Sequence, residues 1–168
     1  MRKTVLDLNY KKANKFFLEQ KSYIALDLPI YFTFKELLLL VSKELKGKFI
    51  TESILNSAKK SYNVNHRIYS NKDGKYAWRK LELINPYLYV SLVNLITEQN
   101  SWKKIKARFK YLQKKHSVMC MSIPVLSDKK LTQQASQINE WLDLVEGESI
   151  KLGLDYEYLF QTDITNCC

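Results

Sequence analysis

The chain has 168 residues, 46% apolar and 12% aromatic, with a formal net charge of +10. That suits one sizeable core, or a small domain with the start of another, and excludes a disordered chain. No run approaches the roughly 18 apolar residues of a membrane span, and polar residues follow Met1-Arg2-Lys3 too soon for a signal peptide.

Helix signals come first. Asn9 is placed to cap a helix carrying Tyr10, Ala13, Phe16 and Phe17 on its apolar side. Asp27-Leu28-Pro29 reads as an extended connection, because the residue before proline avoids the α region. Thr33 with Glu36 three residues on has the spacing of a capping box. Phe34, Leu37, Leu38, Val41 and Leu45 follow at helical spacing until Gly47 stops the run, and Thr51 heads a shorter helix to about Lys59.

The period then changes. His66–Ser70 and Tyr76–Ile84 flank Asn71-Lys72-Asp73-Gly74-Lys75, and Asp-Gly between β-prone runs predicts a hairpin over about 66–84. In its second run Ala77, Arg79, Leu81 and Leu83 share one face, while Trp78, Lys80, Glu82 and Ile84 make a mixed one. Asn85-Pro86 is a strong helix entry, with a run to about Gln99. Ser101 is placed to cap the next helix, whose stripe Trp102, Ile105, Phe109, Leu112 is surrounded by lysines and arginine. Val118–Val125 reads as extended around Pro124. A helix from Ser127 or Asp128 follows, with the seam Leu131, Ala135, Ile138, Leu142, Val145, and Gly147 weakens its last turns.

The charge is unevenly placed. Residues 1–115 hold 24 Lys and Arg against 9 Asp and Glu, a surplus of 15 cations; residues 116–168 hold 3 against 8, a deficit of 5. A basic helical region followed by a mildly acidic one points to a polyanion held near carboxylates, and a lysine-rich solvated surface is the plainer alternative. Lys103, Lys104 and Arg108 on the basic helix are candidates for phosphate contact. Cys120, Cys167 and Cys168 offer neither a CxxC pair nor a disulfide framework, which points to a reducing cytoplasm. His66 and His116 stand without ligand spacing.

The chain closes on a strand-like run, Tyr158-Leu159-Phe160-Gln161-Thr162-Asp163-Ile164. Alternation puts Tyr156, Tyr158, Phe160, Thr162 and Ile164 on a face expected to pack on helices, with Asp163 on the other near the strand end. A carboxylate there is placed for Mg²⁺, although an Asp at a strand end more commonly serves a turn.

Asp73-Gly74-Lys75, then Trp78-Arg79-Lys80-Leu81-Glu82-Leu83-Ile84-Asn85-Pro86 and the helix with Leu88-Tyr89-Val90-Ser91-Leu92-Val93-Asn94, resemble the fingers hairpin and following helix of bacterial, non-retroviral reverse transcriptases. Ser122-Ile123-Pro124-Val125 and Tyr156 through Cys167 are similar to the approach to, and the strand of, their first palm motif. This family of RNA-directed DNA polymerases includes phage-defence enzymes. The resemblance implies an α+β, mainly helical fold: residues 1–115 as a basic helical fingers region with the hairpin, and 116–168 as the start of the palm. It implies that Asp163 is the first catalytic Asp and a metal ligand, joined by the backbone carbonyl of Ile164. Arg79, and with it Lys75, would hold the incoming triphosphate; an arginine fork suits phosphate oxygens, and a surface salt bridge is its ordinary alternative. It further implies Mg²⁺ or Mn²⁺ as cofactor and an RNA or single-stranded DNA template and primer with dNTP as partners.

Two departures stand out. The family's sugar-stacking aromatic, five residues after the first Asp, is replaced by Cys168, and the chain contains no Asp-Asp pair. The expectation is therefore a fragment, frameshifted, truncated or split, that is inactive alone and needs a chain carrying the remaining palm and thumb. A non-catalytic RNA or single-stranded-DNA-binding module, or an interaction or remnant domain of a phage-defence system, is the alternative.

Overall fold

The computed structural model describes residues 3–24, 28–29, 31–71, 74–75, 78–114, 123–126, 141–158 and 160. The fold is α+β and mainly helical, with one two-stranded antiparallel sheet among the described residues. It divides into two compact units, Val5–Val118 and Met1–Thr4 with Met119–Cys168. No helix among the described residues is long and apolar enough to cross a membrane.

In the larger unit a 3-10 turn (Val5–Asp7) leads to α1 (Tyr10–Phe17), whose first turn is closed by the Asn9 carboxamide accepting from Lys12 N–H at 2.9 Å. The short α2 (Gln20–Tyr23) and α3 (Lys35–Leu45) follow. The expected Thr33–Glu36 capping box does not form. Phe34 takes the N-cap place, and its N–H is satisfied at 2.9 Å by the Gln20 side-chain carbonyl, whose amide donates to Phe32 C=O at 3.2 Å. A tertiary partner replaces the local one, so the helix begins one residue later. At its far end Lys46 (φ 48°) and Gly47 (φ 76°) turn left-handed and end α3.

Then come α4 (Glu52–Lys60), β1 (His66–Asn71), β2 (Trp78–Leu83), α5 (Pro86–Ile96) and α6 (Gln99–Lys114). Asn85 caps α5 as expected, accepting from Tyr87 N–H at 2.9 Å with Pro86 in the first turn. The helix stops at Ile96, short of Gln99, with Thr97 as its C-cap (φ −96°, ψ 7°), whose N–H makes the last helical bond, to Val93 C=O, and whose hydroxyl donates to the same carbonyl. The Glu98 carboxylate, not Ser101, begins α6: it accepts from the Ser101 hydroxyl at 2.8 Å and N–H at 3.2 Å. These bonds hold Glu98 below the usual carboxylate range.

Packing centres on α5. Val90 meets Leu38 and Leu45 of α3, with Tyr23, Tyr87 and Tyr89 around them. A second stripe of α5 is buried yet polar. Ser91 accepts from Ile50 N–H at 2.8 Å, Asn94 donates to Lys48 C=O at 2.8 Å, and Asn14 of α1 donates to Thr97 at 2.8 Å and to Asn94 at 3.3 Å. Burying these groups costs little because each is bonded. Trp102 of α6 is buried, its indole N–H donating to Leu8 C=O at 3.0 Å, and its ring meets Phe17 edge-on.

In the smaller unit, Thr4 and Val125 form an antiparallel bridge, with Leu126 N–H donating to Lys3 C=O at 2.9 Å. A turn of π-helix (Leu142–Glu146) runs into α7 (Gly147–Asp155), so the helix continues through Gly147, where its type changes. The expected start of this helix lies outside the described residues. Tyr156 is extended, Tyr158 and Phe160 belong to no strand among the described residues, and the described part of the expected aromatic face is exposed, Tyr156, Tyr158 and Phe160 at 67%, 89% and 89%; Thr162 and Ile164 lie outside the described residues.

Candidate nucleic-acid interface

The hairpin carries the first group of candidate residues. Its strands pair from His66 opposite Leu83 to Asn71 opposite Trp78. At the turn the Asn71 carboxamide accepts from Gly74 N–H at 3.0 Å, and Gly74 takes φ 77°, a conformation glycine adopts without strain. Since opposed residues share a face, His66, Ile68 and Ser70 lie with Arg79, Leu81 and Leu83. Ile68, Leu81 and Leu83 are half-buried, so this is the inner face. At the hairpin base it borders a hollow of about 880 Å³ with Tyr23, Phe32 and Phe34 on the opposite wall.

Arg79 sits on that face, one residue pair from the turn, and is exposed. Among the described residues its guanidinium has no ion-pair partner. The surface salt bridge that was its ordinary alternative belongs instead to Arg67, whose Nε lies 3.4 Å from Glu82. Lys75 is exposed beside the turn. Arg79 and Lys75 thus occupy the same end of the hairpin, as cations meeting an anionic ligand there would.

The outer face is fully exposed: Arg67, Tyr69 and Asn71 with Trp78, Lys80 and Glu82. Lys80 at 3.0 Å, Asn65 at 3.3 Å and Arg67 converge on Glu82 and hold its carboxyl below the usual range. Tyr69 and Trp78 rise from this face, 61% and 66% exposed. The alternation of β2 alone makes this face mixed; that Tyr69 and Trp78 are diagonal neighbours on adjacent strands follows only from the register.

Helix α6 presents the second group. Lys103, Lys104 and Arg108 are exposed, as are Lys110 and Lys114, and no acidic residue occurs from Gln99 to Lys114. The apolar stripe beginning at Trp102 seats the helix and leaves these cations on the opposite side. Arg108 lies 5.6 Å from the centre of the half-exposed Tyr111 ring, a cation–π contact that orders both side chains at the surface. Lys106 is the exception among the cations: it donates to Leu8 C=O at 3.3 Å and serves packing.

Compared with protein-family models and with the curated proteins, the chain matches none. Asp163 and Ile164 lie outside the described residues. Among the described residues no three His, Cys, Asp or Glu side chains cluster to hold a metal ion. The described chemistry is cationic and aromatic. It suits phosphates, bases and sugars, and His66 borders the hollow at the hairpin base.

Proposed function

We propose that this chain is the fingers region and first palm motif of an RNA-directed DNA polymerase of the non-retroviral bacterial kind. The observation that carries the reading is the exposed Arg79 guanidinium, without an ion-pair partner among the described residues, near the tip of a hairpin rooted through Asn85 on α5. A cation left unneutralised on a well-anchored ribbon is suited to an anion brought from outside, and a triphosphate matches its planar fork. Lys75 supplies a second charge beside the same turn. Lys103, Lys104 and Arg108 track the nucleic-acid backbone.

In this reading Asp163 supplies the first carboxylate and Ile164 its backbone carbonyl. Their donor atoms are all oxygen, the chemistry Mg²⁺ or Mn²⁺ takes. When bound, such an ion stabilises the attacking and leaving oxygens of nucleotidyl transfer. One carboxylate does not make a two-metal centre, and there is no Asp-Asp pair in these 168 residues. The other carboxylates would come from polypeptide carrying the remaining palm and thumb.

The test uses the assembled enzyme with template, primer and dNTP. Asp163→Asn is expected to abolish nucleotide incorporation while leaving nucleic-acid binding intact. Arg79→Ala should raise KM for dNTP roughly 10- to 100-fold, the worth of one or two charge-assisted hydrogen bonds. Unchanged incorporation by Asp163→Asn removes that carboxylate from the chemistry. The uninterrupted cationic side of α6 favours a second reading, a module that binds RNA or single-stranded DNA without catalysis. It predicts nucleic-acid binding with no measurable affinity for dNTP.

A further inference from the structure

We infer that the outer face of the hairpin is a stacking platform for the bases of single-stranded nucleic acid, with Tyr69 and Trp78 as its two rings. The inference rests on the reading that the chain binds nucleic acid, and it names the strand state bound and the residues that read it. Three observations carry it.

The first is exposure on a firm support. Tyr69 and Trp78 are more than 60% exposed, although large aromatics gain most from burial. They stand on paired strands whose opposite face is half-buried and whose base is tied down: Asn85 N–H donates to the Asn65 carboxamide at 3.0 Å, and the Asn85 amide donates to Val64 C=O at 3.2 Å.

The second is spacing. In the observed register Tyr69 opposes Lys80 and Asn71 opposes Trp78, so the rings are diagonal neighbours on one face. Such positions lie about 7–8 Å apart. Among the described residues neither ring contacts another ring or a cation. Each can therefore accept a base on its face.

The third is charge. Arg67 and Lys80 flank the rings, and the face's single acid, Glu82, is already shared between them. Two cations against one anion leave the face positive, within a region carrying a surplus of 15 positive charges. A ligand with flat apolar rings and a repeating negative charge fits that combination. Duplex ends offer few free base faces, because pairing and stacking occupy them, so the face selects unpaired strands. RNA and DNA share the chemistry.

The test is titration of the full chain with 20-nucleotide oligo(U) and oligo(dT), and with a duplex of the same length, at about 50 mM salt. Tryptophan fluorescence is the readout. Trp102 is buried, whereas Trp78 and Trp141 are exposed, so the titration is run on a Trp141→Phe background in which Trp78 is the exposed reporter. Saturable quenching by both single strands is expected, and binding of the duplex at least tenfold weaker. Tyr69→Ala and Trp78→Ala should each weaken binding about 5- to 100-fold, read by anisotropy of a labelled strand, and leave the salt dependence unchanged. Tyr69→Phe should bind as wild type, since the ring face is kept. Both positions are solvent-facing, so the variants are expected to keep the wild-type circular dichroism. Salt-dependent binding that ignores both alanine substitutions overturns the platform but keeps the nucleic-acid reading. Equal affinity for duplex and single strand overturns the platform too. Absence of binding to any of the three overturns both.

Discussion

Tyr89 shows how much a single side chain does here. Its hydroxyl donates to Phe17 C=O at 2.6 Å, its ring packs edge-on to Tyr23 at 4.8 Å, and burial, with a smaller contribution from Tyr23, pushes its pKa up to about 12. Tyr23 is raised by burial as well, and its hydroxyl donates to Ile84 C=O at the foot of the hairpin. The pair joins α1, α2, α5 and the hairpin root through neutral phenols. The unfolded chain ionises tyrosine near pH 10, and the folded state resists until about 12. The stabilisation is thus complete below pH 10 and is lost as pH rises from about 10 through 12. Urea unfolding at pH 8.0 and 11.5 should show a larger alkaline loss for wild type than for Tyr89→Phe. An equal loss in both would mean that this phenol is not buried as described. None of this was legible in the sequence, where Tyr89 stood only as part of the helix after Asn85-Pro86; a hydroxyl's partner 72 residues away leaves no local trace.

Among the elements, those whose ends are fixed by adjacent residues were the readable ones. Asn9 and Asn85 cap their helices through their own carboxamides, and Gly74 takes φ 77° where the hairpin turns. Where a distant group does the work, the local signal misled. Gln20 reaches 14 residues to start α3, displacing Thr33. At α6 the cap is local but one turn earlier than Ser101: the Glu98 carboxylate accepts from the Ser101 N–H and hydroxyl. The polar stripe Ser91, Asn94, Thr97 was likewise hidden, although its three-residue spacing was a usable sign of a second contact face.

Helix α7 is the least supported element. It has no buried residue, Ile150, Leu152 and Leu154 are exposed, and it contains Gly147 and Gly153. Each glycine costs about 0.8–1 kcal/mol against alanine in a helix interior, and a methyl group at Gly153 would meet nothing within 4 Å. Gly153→Ala should therefore stabilise α7 by about 0.4–1 kcal/mol, slowing amide hydrogen exchange over Glu148–Asp155 roughly two- to fivefold. Faster exchange would show that residue 153 needs a conformation alanine cannot take.

For the molecule as a whole, charge and topology lead to one account. The larger unit packs its helices around α5 and leaves two cationic surfaces, the hairpin and the outer side of α6. The charge asymmetry was legible from residue counts alone, and the cations of α6 were nameable from helical spacing. That Arg79 has no ion-pair partner among the described residues while Arg67 is paired required the register and the coordinates. The distinction matters for function, because a neutralised arginine offers little to a phosphate and an unpaired one keeps its full charge. Whether this basic surface holds a nucleic-acid strand is read from the affinity for a 20-nucleotide RNA between about 50 and 300 mM salt. If four to six cations meet phosphates, log K should fall against log salt with a slope of roughly −3 to −4. A slope near zero, or no binding at about 50 mM, would mean that the surface holds no strand.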